Sequence, residues 1–213
     1  MKILVFGKTG QIAKELNKLT VAEFVSRQEC DLTRPEEGTG IIMNSTADVV
    51  INLAAYTNVD GAEENEKLAN VINSKAPKVL AKACAIKGIP FIHLSTDYVY
   101  GDEGITALTP DAATNPINVY GKSKLIGDLE VKKSGADYVI LRTSWVFSKY
   151  NKNFYTTINK LSKTNKILNI VDDQIGGPTP AVELAKACLI IANKIILNKS
   201  LSGIYHMSGF PDV

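Results

Sequence analysis

Short, continuous apolar segments alternate with longer helical patterns along most of this 213-residue chain. Predicted strands lie at 3–6, 23–25, 48–53, 90–94 and 138–141. Strands that are apolar on both faces and are separated by helices are typical of a parallel sheet covered on both sides. The sequence therefore predicts an α/β protein built around a doubly wound parallel sheet.

Periodic apolar residues predict the helices between these strands and beyond them. One helix contains residues 120–124, and the others are predicted at 11–19, 62–72, 76–87, 153–162 and 181–197, with extended segments at 167–171 and 203–207. A proline inside a helical pattern predicts a break, so the pattern around 62–87 is divided before Pro77.

The first strand leads directly into a glycine-rich turn, Gly7-Lys8-Thr9-Gly10, and then into a helix. Gly7 permits a tight turn, and Gly10 lets a pyrophosphate approach the N-terminus of the helix, where free N–H groups favour anions. Ala13 is small enough for close packing of helix on sheet. The spacing is G-x-x-G-x-x-A, and the alternative is an ordinary strand-to-helix turn with two glycines. The pattern favours a Rossmann-type nucleotide site.

The end of the second strand contains the residues that choose between the two nicotinamide cofactors. Arg27 beside Ser26 favours NADPH, whose 2′-phosphate they would accept, over NADH, which stays open as an alternative. In that alternative Arg27 is a surface residue and Glu29 binds the ribose hydroxyls. Asp31 either caps the next helix or lies where an adenine amino group would sit.

Three residues with complementary chemistry follow in order: Thr96, Tyr120 and Lys124. Tyr120 and Lys124 lie one helical turn apart, so an ammonium is expected to lower the pKa of the phenol and make it a general acid. Thr96 would polarise a carbonyl oxygen. A turn-capping hydroxyl and an amphipathic residue at a helix start are the separate alternatives. After a glycine-rich turn, the set favours reduction of a carbonyl by a nicotinamide.

Composition argues against several other classes of function. A net charge of +2 argues against a nucleic-acid or membrane partner. The three cysteines fit no disulfide or metal spacing, and Cys84 and Cys188 are expected in the core of a cytoplasmic protein. The two histidines, His93 and His206, are expected to be strand residues, and they do not support a zinc site.

The pattern of elements changes after residue 148. We predict an NAD(P)-binding Rossmann domain at 1–148. Residues 149–213 are predicted to form a partial substrate-binding lobe together with elements that return to the Rossmann sheet.

Six ordered motifs together resemble the dTDP-4-dehydrorhamnose reductase family of extended short-chain dehydrogenase/reductases. The resemblance covers essentially the whole chain. The motifs are Gly7-Lys8-Thr9-Gly10-Gln11, Asn52-Leu53-Ala54-Ala55-Tyr56-Thr57-Asn58-Val59-Asp60, Ser95-Thr96-Asp97-Tyr98-Val99-Tyr100, Asn118-Val119-Tyr120-Gly121-Lys122-Ser123-Lys124, Arg142-Thr143-Ser144-Trp145 and Asp172-Asp173-Gln174-Ile175-Gly176-Gly177-Pro178-Thr179.

The resemblance implies NAD(P)H-dependent reduction of the C4 ketone of dTDP-6-deoxy-L-lyxo-4-hexulose to dTDP-L-rhamnose. It makes Tyr120 the proton donor, Lys124 its partner and Thr96 the hydroxyl residue. Thr96, Asp97 and Trp145 match sugar contacts, although Trp145 could instead serve in packing of the lobe. The implied cofactor contacts are Gly10, Gln11, Ile12, Asp31, Leu32, Ala54, Ala55, Tyr56, Tyr120 and Lys124.

Two departures from the family are visible. Ala13 replaces a common glycine, and family members continue well beyond residues 203–209, so the substrate lobe is expected to be incomplete. Glu15 and Glu183 match positions that hold Mg²⁺ between subunits in some members, which would be compatible with a homodimer. The third such position would lie beyond this chain, so no metal is predicted.

Two other functions stay open. One is a different reductase or epimerase of nucleotide 4-ketosugars. The other is a catalytically silent, regulatory binding subunit, as one relative of the family is. The intact Thr96, Tyr120 and Lys124 argue against a silent protein, and the short C-terminal part argues for keeping the alternative.

Overall fold

The computed structural model describes residues 1–102 and 106–210. Within them, six parallel strands form one sheet in the order β2-β1-β3-β4-β5-β8. Their bounds are β1 Ile3–Phe6, β2 Glu23–Val25, β3 Val49–Asn52, β4 Phe91–Thr96, β5 Tyr138–Thr143 and β8 Gly203–His206. The predicted doubly wound parallel sheet is confirmed.

Helices cover both faces of this sheet. Leu4 and Phe6 point to the face covered by α2 Glu36–Asn44, α5 Ala76–Lys87 and α6 Val119–Lys132. Residues of the opposite parity, among them Ile3 and Val5, point to the other face, where α1 Gln11–Leu19 packs against α8 Ala181–Leu197. Because both faces are covered, the central strands are mostly apolar, and their polar residues, among them His93 and Arg142, are buried.

The winding direction reverses between β1 and β3. The chain moves outward from β1 to β2, and then crosses back to place β3 on the opposite side of β1. In open parallel sheets, ligands bind outside the carboxyl ends of the strands at such a switch point. The fold therefore places a candidate binding site beside Gly7, after β1, and Ala54, after β3.

The helical region before β4 differs from the prediction. It consists of α3 Val59–Glu64, α4 Glu66–Asn70, a π-helical turn Val71–Lys75 and α5, which follows the turn directly. Pro77 lies in the first turn of α5, where the missing N–H of proline is tolerated. The predicted break before Pro77 was therefore wrong.

The last part of the chain contains a second small sheet and then returns to the first. The short strands β6 Val146–Phe147 and β7 Thr179–Pro180 pair with each other, and α7 Phe154–Leu161 lies between them in the chain. Residues 167–171, predicted to be extended, form no strand. Strand β8 then pairs with β5 of the main sheet. The division at 148 stays a prediction, and residues 211–213 of the predicted lobe lie outside the described residues.

No helix among residues 1–102 and 106–210 has the length and apolar character needed to cross a membrane.

Candidate active site

A cleft of about 1540 Å³ lies at the carboxyl ends of the central strands. All but one of the residues predicted to bind or react lie on its wall. Those on the wall are Gly7, Gly10, Gln11, Ile12, Ser26, Arg27, Asp31, Leu32, Ala54, Ala55, Thr96, Asp97, Tyr120, Lys124 and Trp145.

The exception is Tyr56, which is not among the described residues of the wall. Its backbone is fixed by Asn73 of the π-helical turn. The Asn73 Oδ1 accepts a hydrogen bond of 2.8 Å from the Tyr56 N–H, and the Asn73 Nδ2 donates one of 3.0 Å to the Tyr56 carbonyl oxygen. Tyr56 therefore anchors the segment after β3, and its role as a direct cofactor contact stays a prediction.

The glycine-rich turn is held against the neighbouring strand ends. Gly7 has a φ of +97°, and its N–H donates to the carbonyl oxygen of Val25 at 3.2 Å. The first helical hydrogen bond of α1 runs from the Lys14 N–H to the Gly10 carbonyl oxygen. The preceding N–H groups, beginning with that of Gln11, have no partner within the helix, so they are available to an anion in the cleft.

The side chain of Gln11 binds the segment after β5, whereas its backbone N–H lies at the start of α1. Its Nε2 donates to the Val146 carbonyl oxygen at 3.0 Å, and its Oε1 accepts from the Ser148 hydroxyl at 3.0 Å. The Asn151 Nδ2 also donates to the carbonyl oxygen of Thr9 at 2.9 Å. Segment 146–151 is thus hydrogen-bonded to the glycine-rich turn and to the start of α1.

The segment after β2 presents a cation to the cleft. Arg27 is exposed and lies on the wall, where its Nε is 3.6 Å from Asp31 Oδ1. Glu29 instead accepts a hydrogen bond from the Ser26 N–H at 2.7 Å, and hydrogen bonds with the Ser26 side chain and with its N–H lower the pKa of the Glu29 carboxyl. Asp31 accepts from the Thr33 N–H at 3.0 Å, so it caps a turn and does not cap helix α2 as one alternative held.

Helix α6 brings Tyr120 to the end of β4. The helix begins after Asn118, whose Oδ1 accepts from the Gly121 N–H at 2.7 Å, so Tyr120 lies in the first turn. Thr96 ends β4 and donates its hydroxyl hydrogen to Asp97 Oδ1 at 3.0 Å. Burial raises the pKa of the Tyr120 phenol to about 12, while a hydrogen bond with Thr96 acts in the opposite direction. Tyr120 is therefore a neutral phenol at physiological pH.

Lys124 extends into the core beneath Tyr120. Its Nζ lies 2.6 Å from the Leu94 carbonyl oxygen and 3.2 Å from His93 Nε2. Burial lowers the pKa of Lys124 to about 8, against the attraction of Asp128. The expectation that Lys124 lowers the pKa of the Tyr120 phenol is wrong for this structure, because desolvation dominates at Tyr120 and the amine is bonded to strand β4.

A buried polar network lies behind Lys124. Asp128, one turn further along α6, forms an ion pair with Arg142 of β5, with Oδ2 and Nε 3.2 Å apart. Arg142 Nη1 also donates to the Tyr100 hydroxyl at 2.6 Å, and this hydroxyl lies 2.7 Å from His206 Nε2. The network connects β8, β5 and the segment after β4 to the helix that carries Tyr120.

Trp145 lies on the wall of the cleft, in the segment after β5. Its φ is +43°, a strained value for a residue with a Cβ. Gly176 packs directly on its ring, since a Cβ there would lie 2.8 Å from Trp145 Cε2. Backbone strain in non-glycine residues clusters at ligand sites, so the conformation supports a role for Trp145 in binding.

Several residues of the site were not identified from the sequence. Tyr98 lies on the wall with its ring edge-on to Tyr120 at 5.5 Å, and Asp128 and Arg142 form the network described above. The spacing of Asp128, four residues after Lys124, is a signal that could have found it. Other wall residues that sequence reasoning missed are Lys8, Thr57, Thr143, Phe147, Asn153 and Tyr155.

The two glutamates that match magnesium positions lie outside the described wall of the cleft. Glu15 pairs with Lys18 at 2.7 Å and Glu183 pairs with Lys186 at 2.8 Å, each within its own helix. Both pairs are surface ion pairs of low energetic weight.

Comparison with known proteins bears on this geometry. The profile of the RmlD substrate binding domain family matches residues 1–212. A dTDP-4-dehydrorhamnose reductase of Burkholderia thailandensis is 41% identical over 216 residues, which represent 98% of this chain and 72% of the relative.

Two solved structures share the fold over essentially the whole chain. A dTDP-4-dehydrorhamnose reductase of Clostridium acetobutylicum superposes with a TM-score of 0.91 at 36% identity, covering 100% of this chain and 75% of its own. That of Bacillus anthracis, in complex with NADP, superposes with a TM-score of 0.87 at 32% identity, covering 99% and 75%. The chain spans about three quarters of the length of these relatives.

Proposed function

This chain belongs to the dTDP-4-dehydrorhamnose reductase family, and on that premise we propose that it reduces the C4 ketone of dTDP-6-deoxy-L-lyxo-4-hexulose to dTDP-L-rhamnose with NADPH. The reaction belongs to nucleotide-sugar biosynthesis. One observation carries the proposal: a neutral phenol, a hydroxyl group and a glycine-rich anion cradle line the same cleft. A silent binding protein would have no need of that combination.

The turn after β1 fits the pyrophosphate of a dinucleotide. A Cβ on Gly7 would lie 2.8 Å from the Ala54 backbone nitrogen, so the backbones after β1 and β3 are in contact and no side chain separates them. The free N–H groups at the start of α1 and the helix dipole stabilise negative charge beside this contact. Ala54 and Ala55 carry small side chains that leave the rest of the groove clear.

The segment after β2 supports NADPH over NADH. Ser26 and Arg27 lie on the wall, whereas the Glu29 carboxylate is bonded back to the Ser26 N–H. A guanidinium and a hydroxyl suit a phosphate, and a ribose with free hydroxyls would favour an acid at this position. The Bacillus anthracis relative was crystallised with NADP.

Proton transfer is the task of the chain's own residues. When bound, NADPH supplies the hydride. Tyr120 keeps its phenol proton at physiological pH, because burial raises its pKa to about 12. It can therefore donate that proton to the oxygen of the ketone, which gains negative charge during the reduction. Thr96, on the same wall, would give a second hydrogen bond to that oxygen when its hydroxyl hydrogen turns from Asp97 to the ketone. Lys124 braces the helix of Tyr120 against β4 through the Leu94 carbonyl oxygen.

The sugar side of the cleft is proposed to lie between Asp97 and Trp145. Burial raises the pKa of the Asp97 carboxyl, which accepts a hydrogen bond from Thr96. The indole of Trp145 offers an apolar face and one N–H donor, a combination suited to a sugar ring. Both residues face the same cleft as Tyr120.

The proposal is tested by following NADPH oxidation with dTDP-6-deoxy-L-lyxo-4-hexulose. We expect turnover by the wild type and a loss of about 100-fold or more in kcat for Tyr120→Phe. Tyr138→Phe is the matched control, because Tyr138 begins β5 away from the described wall of the cleft and should keep full activity.

Two results would contradict the proposal in different ways. Equal activity of wild type and Tyr120→Phe would exclude Tyr120 as the proton donor. In the second result, NADPH binds without being oxidised by dTDP-6-deoxy-L-lyxo-4-hexulose and yet is oxidised by another nucleotide 4-ketosugar. In that case the other sugar replaces the proposed substrate.

A further inference from the structure

Ser26 and Glu29 exchange two hydrogen bonds in the turn that follows β2. The Ser26 N–H donates to Glu29 Oε2 at 2.7 Å, and the Ser26 hydroxyl oxygen accepts from the Glu29 N–H at 3.4 Å. A serine and a glutamate three residues apart commonly pair in this way, each side chain bonding the backbone of the other residue. The Ser26 N–H is therefore already bonded to a carboxylate.

The cations beside this turn are also partly balanced by carboxylates. Lys8, Ser26 and Arg27 line the cleft here and form the candidate 2′-phosphate subsite. Arg27 Nε lies 3.6 Å from Asp31 Oδ1. Hydrogen bonds with the Ser26 side chain and N–H, together with the positive charge of Lys8, lower the pKa of the Glu29 carboxyl, so it is ionised at neutral pH.

A 2′-phosphate would need the groups that Glu29 uses. A phosphate monoester carries about −1.5 to −2 charges at neutral pH and has three acceptor oxygens, so an N–H, a hydroxyl and nearby cations stabilise it. The Ser26 N–H is a single donor, and it cannot serve the Glu29 carboxylate and a phosphate together at full strength. NADH has no phosphate at this position, so it leaves the bond of Glu29 intact.

We propose that Glu29 is a specificity-determining residue whose carboxylate acts as the counter-ion of the 2′-phosphate subsite, and that NADPH binds by displacing it. Glu29 is exposed, so its side chain can turn into solvent. The displacement removes part of the affinity that Ser26 and Arg27 give to NADPH, and it does not affect NADH. Glu29 therefore narrows the preference for NADPH.

This role differs from direct recognition of the ribose by Glu29. A carboxylate that accepted hydrogen bonds from the ribose hydroxyls would favour NADH. The bond of 2.7 Å to the Ser26 N–H instead directs the carboxylate toward the protein backbone. Removal of its charge should strengthen the binding of NADPH if Glu29 is the counter-ion, and should weaken the binding of NADH if it holds the ribose.

The inference rests on the proposed use of NADPH, but its test needs no sugar. Calorimetric titration should give a Kd for NADPH about fivefold lower in Glu29→Gln than in the wild type, with an unchanged Kd for NADH. The amide oxygen of the variant can still accept from the Ser26 N–H, so the turn is retained while the charge is removed. Glu23→Gln is the matched control, because Glu23 is an exposed glutamate at the start of β2, away from the described wall. It should bind both cofactors as the wild type does.

The outcomes separate this inference from the proposed reaction. An unchanged or higher Kd for NADPH in Glu29→Gln would overturn the inference, and so would a higher Kd for NADH. A wild type that binds NADPH but does not reduce the sugar would contradict the proposed reaction and leave the comparison of Kd values valid. A wild type that binds no NADPH would overturn both.

A second measurement follows the Ser26 amide in the wild-type protein by nuclear magnetic resonance. Adenosine 2′,5′-bisphosphate and adenosine 5′-monophosphate differ only by the 2′-phosphate. At saturating concentrations we expect the bisphosphate to shift the Ser26 amide signal, because it releases Glu29, and the monophosphate to leave the signal in place. Equal shifts with the two nucleotides, or no shift with either, would overturn the exchange of anions at Ser26.

Discussion

Gly7 and Ala54 meet backbone to backbone at the point where β1 and β3 end. A Cβ on Gly7 would lie 2.8 Å from the Ala54 nitrogen and 2.9 Å from the Leu53 carbonyl carbon. Neither backbone group can move without displacing the sheet, and the φ of +97° at Gly7 is itself costly for any residue with a side chain. Both residues line the cleft, so this contact fixes the shape of its wall.

Replacement of Gly7 should therefore destabilise the protein through two separable effects, backbone strain at a positive φ and steric overlap with the backbone after β3. We expect Gly7→Ala to lower the free energy of unfolding by about 3 kcal/mol and to abolish measurable NADPH binding. Gly88→Ala is the matched control, since Gly88 has a φ of +75° but no atom within 4 Å of its added Cβ. It should cost about 1 kcal/mol from backbone strain alone and leave binding intact. Chemical denaturation measures the free energy of unfolding of the two variants, and a titration measures their binding of NADPH. Equal losses of stability in Gly7→Ala and Gly88→Ala would refute the steric argument.

The main features of the fold could be predicted because the sheet is dry on both faces. Apolar strands such as Val49–Asn52, and glycines such as Gly7, leave few alternatives once a parallel sheet is assumed. Helix continuity through Pro77 could not be predicted, because it depends on a π-helical turn that the packing of α6 stabilises. Propensity rules apply to local sequence, and here a tertiary contact overrides them.

The candidate site divides in the same way. Thr96, Tyr120 and Lys124 could be identified because their chemistry requires those residue types at strand ends and one helical turn apart. The direction of the Lys124 amine toward Leu94 and His93 could not be predicted, because it depends on how α6 packs against β4 in the folded protein. The same limitation explains why the expected effect of Lys124 on the Tyr120 pKa was wrong.

The ion pair of Asp128 and Arg142 should be far more important to stability than the surface pair on the same helix. Asp128→Asn leaves a buried guanidinium without its counter-charge, so we expect a loss of about 3 kcal/mol in the free energy of unfolding. Glu130 pairs with Lys78 at the surface, and Glu130→Gln should cost less than about 1 kcal/mol. Urea denaturation of both variants gives the comparison. Similar losses would mean that Arg142 is satisfied without Asp128.

Trp145 offers a direct optical report on the cleft, because it is the only tryptophan in the chain. Its ring lies on the same wall as Tyr120, so bound NADPH should quench its emission with a saturable dependence on concentration. Trp145→Phe should remove this signal while NADPH still binds, as calorimetry would show. An unchanged emission on saturation with NADPH would place the cofactor away from Trp145.

Stability should respond to pH through Lys124 in a characteristic direction. The pKa of Lys124 falls from 10.5 to about 8 on folding, so between these values the unfolded chain holds a proton that the folded chain has lost. A state that binds more protons is disfavoured as the pH rises, and the unfavourable contribution of Lys124 is therefore relieved in alkaline solution. The free energy of unfolding of the wild type, minus that of Lys124→Met, should rise by about 2 kcal/mol between pH 7 and pH 9.5.

The subtraction is needed because other groups act in the opposite direction. Burial raises the pKa of Cys84 and Cys188 to about 12, so the unfolded chain loses their protons first and stability falls as the pH increases above 9.0, the ordinary value for a thiol. The same holds for Tyr120 above 10.0. These contributions are common to the wild type and Lys124→Met and cancel in the difference. A difference that is flat or falls with pH would show that Lys124 keeps its charge in the folded protein.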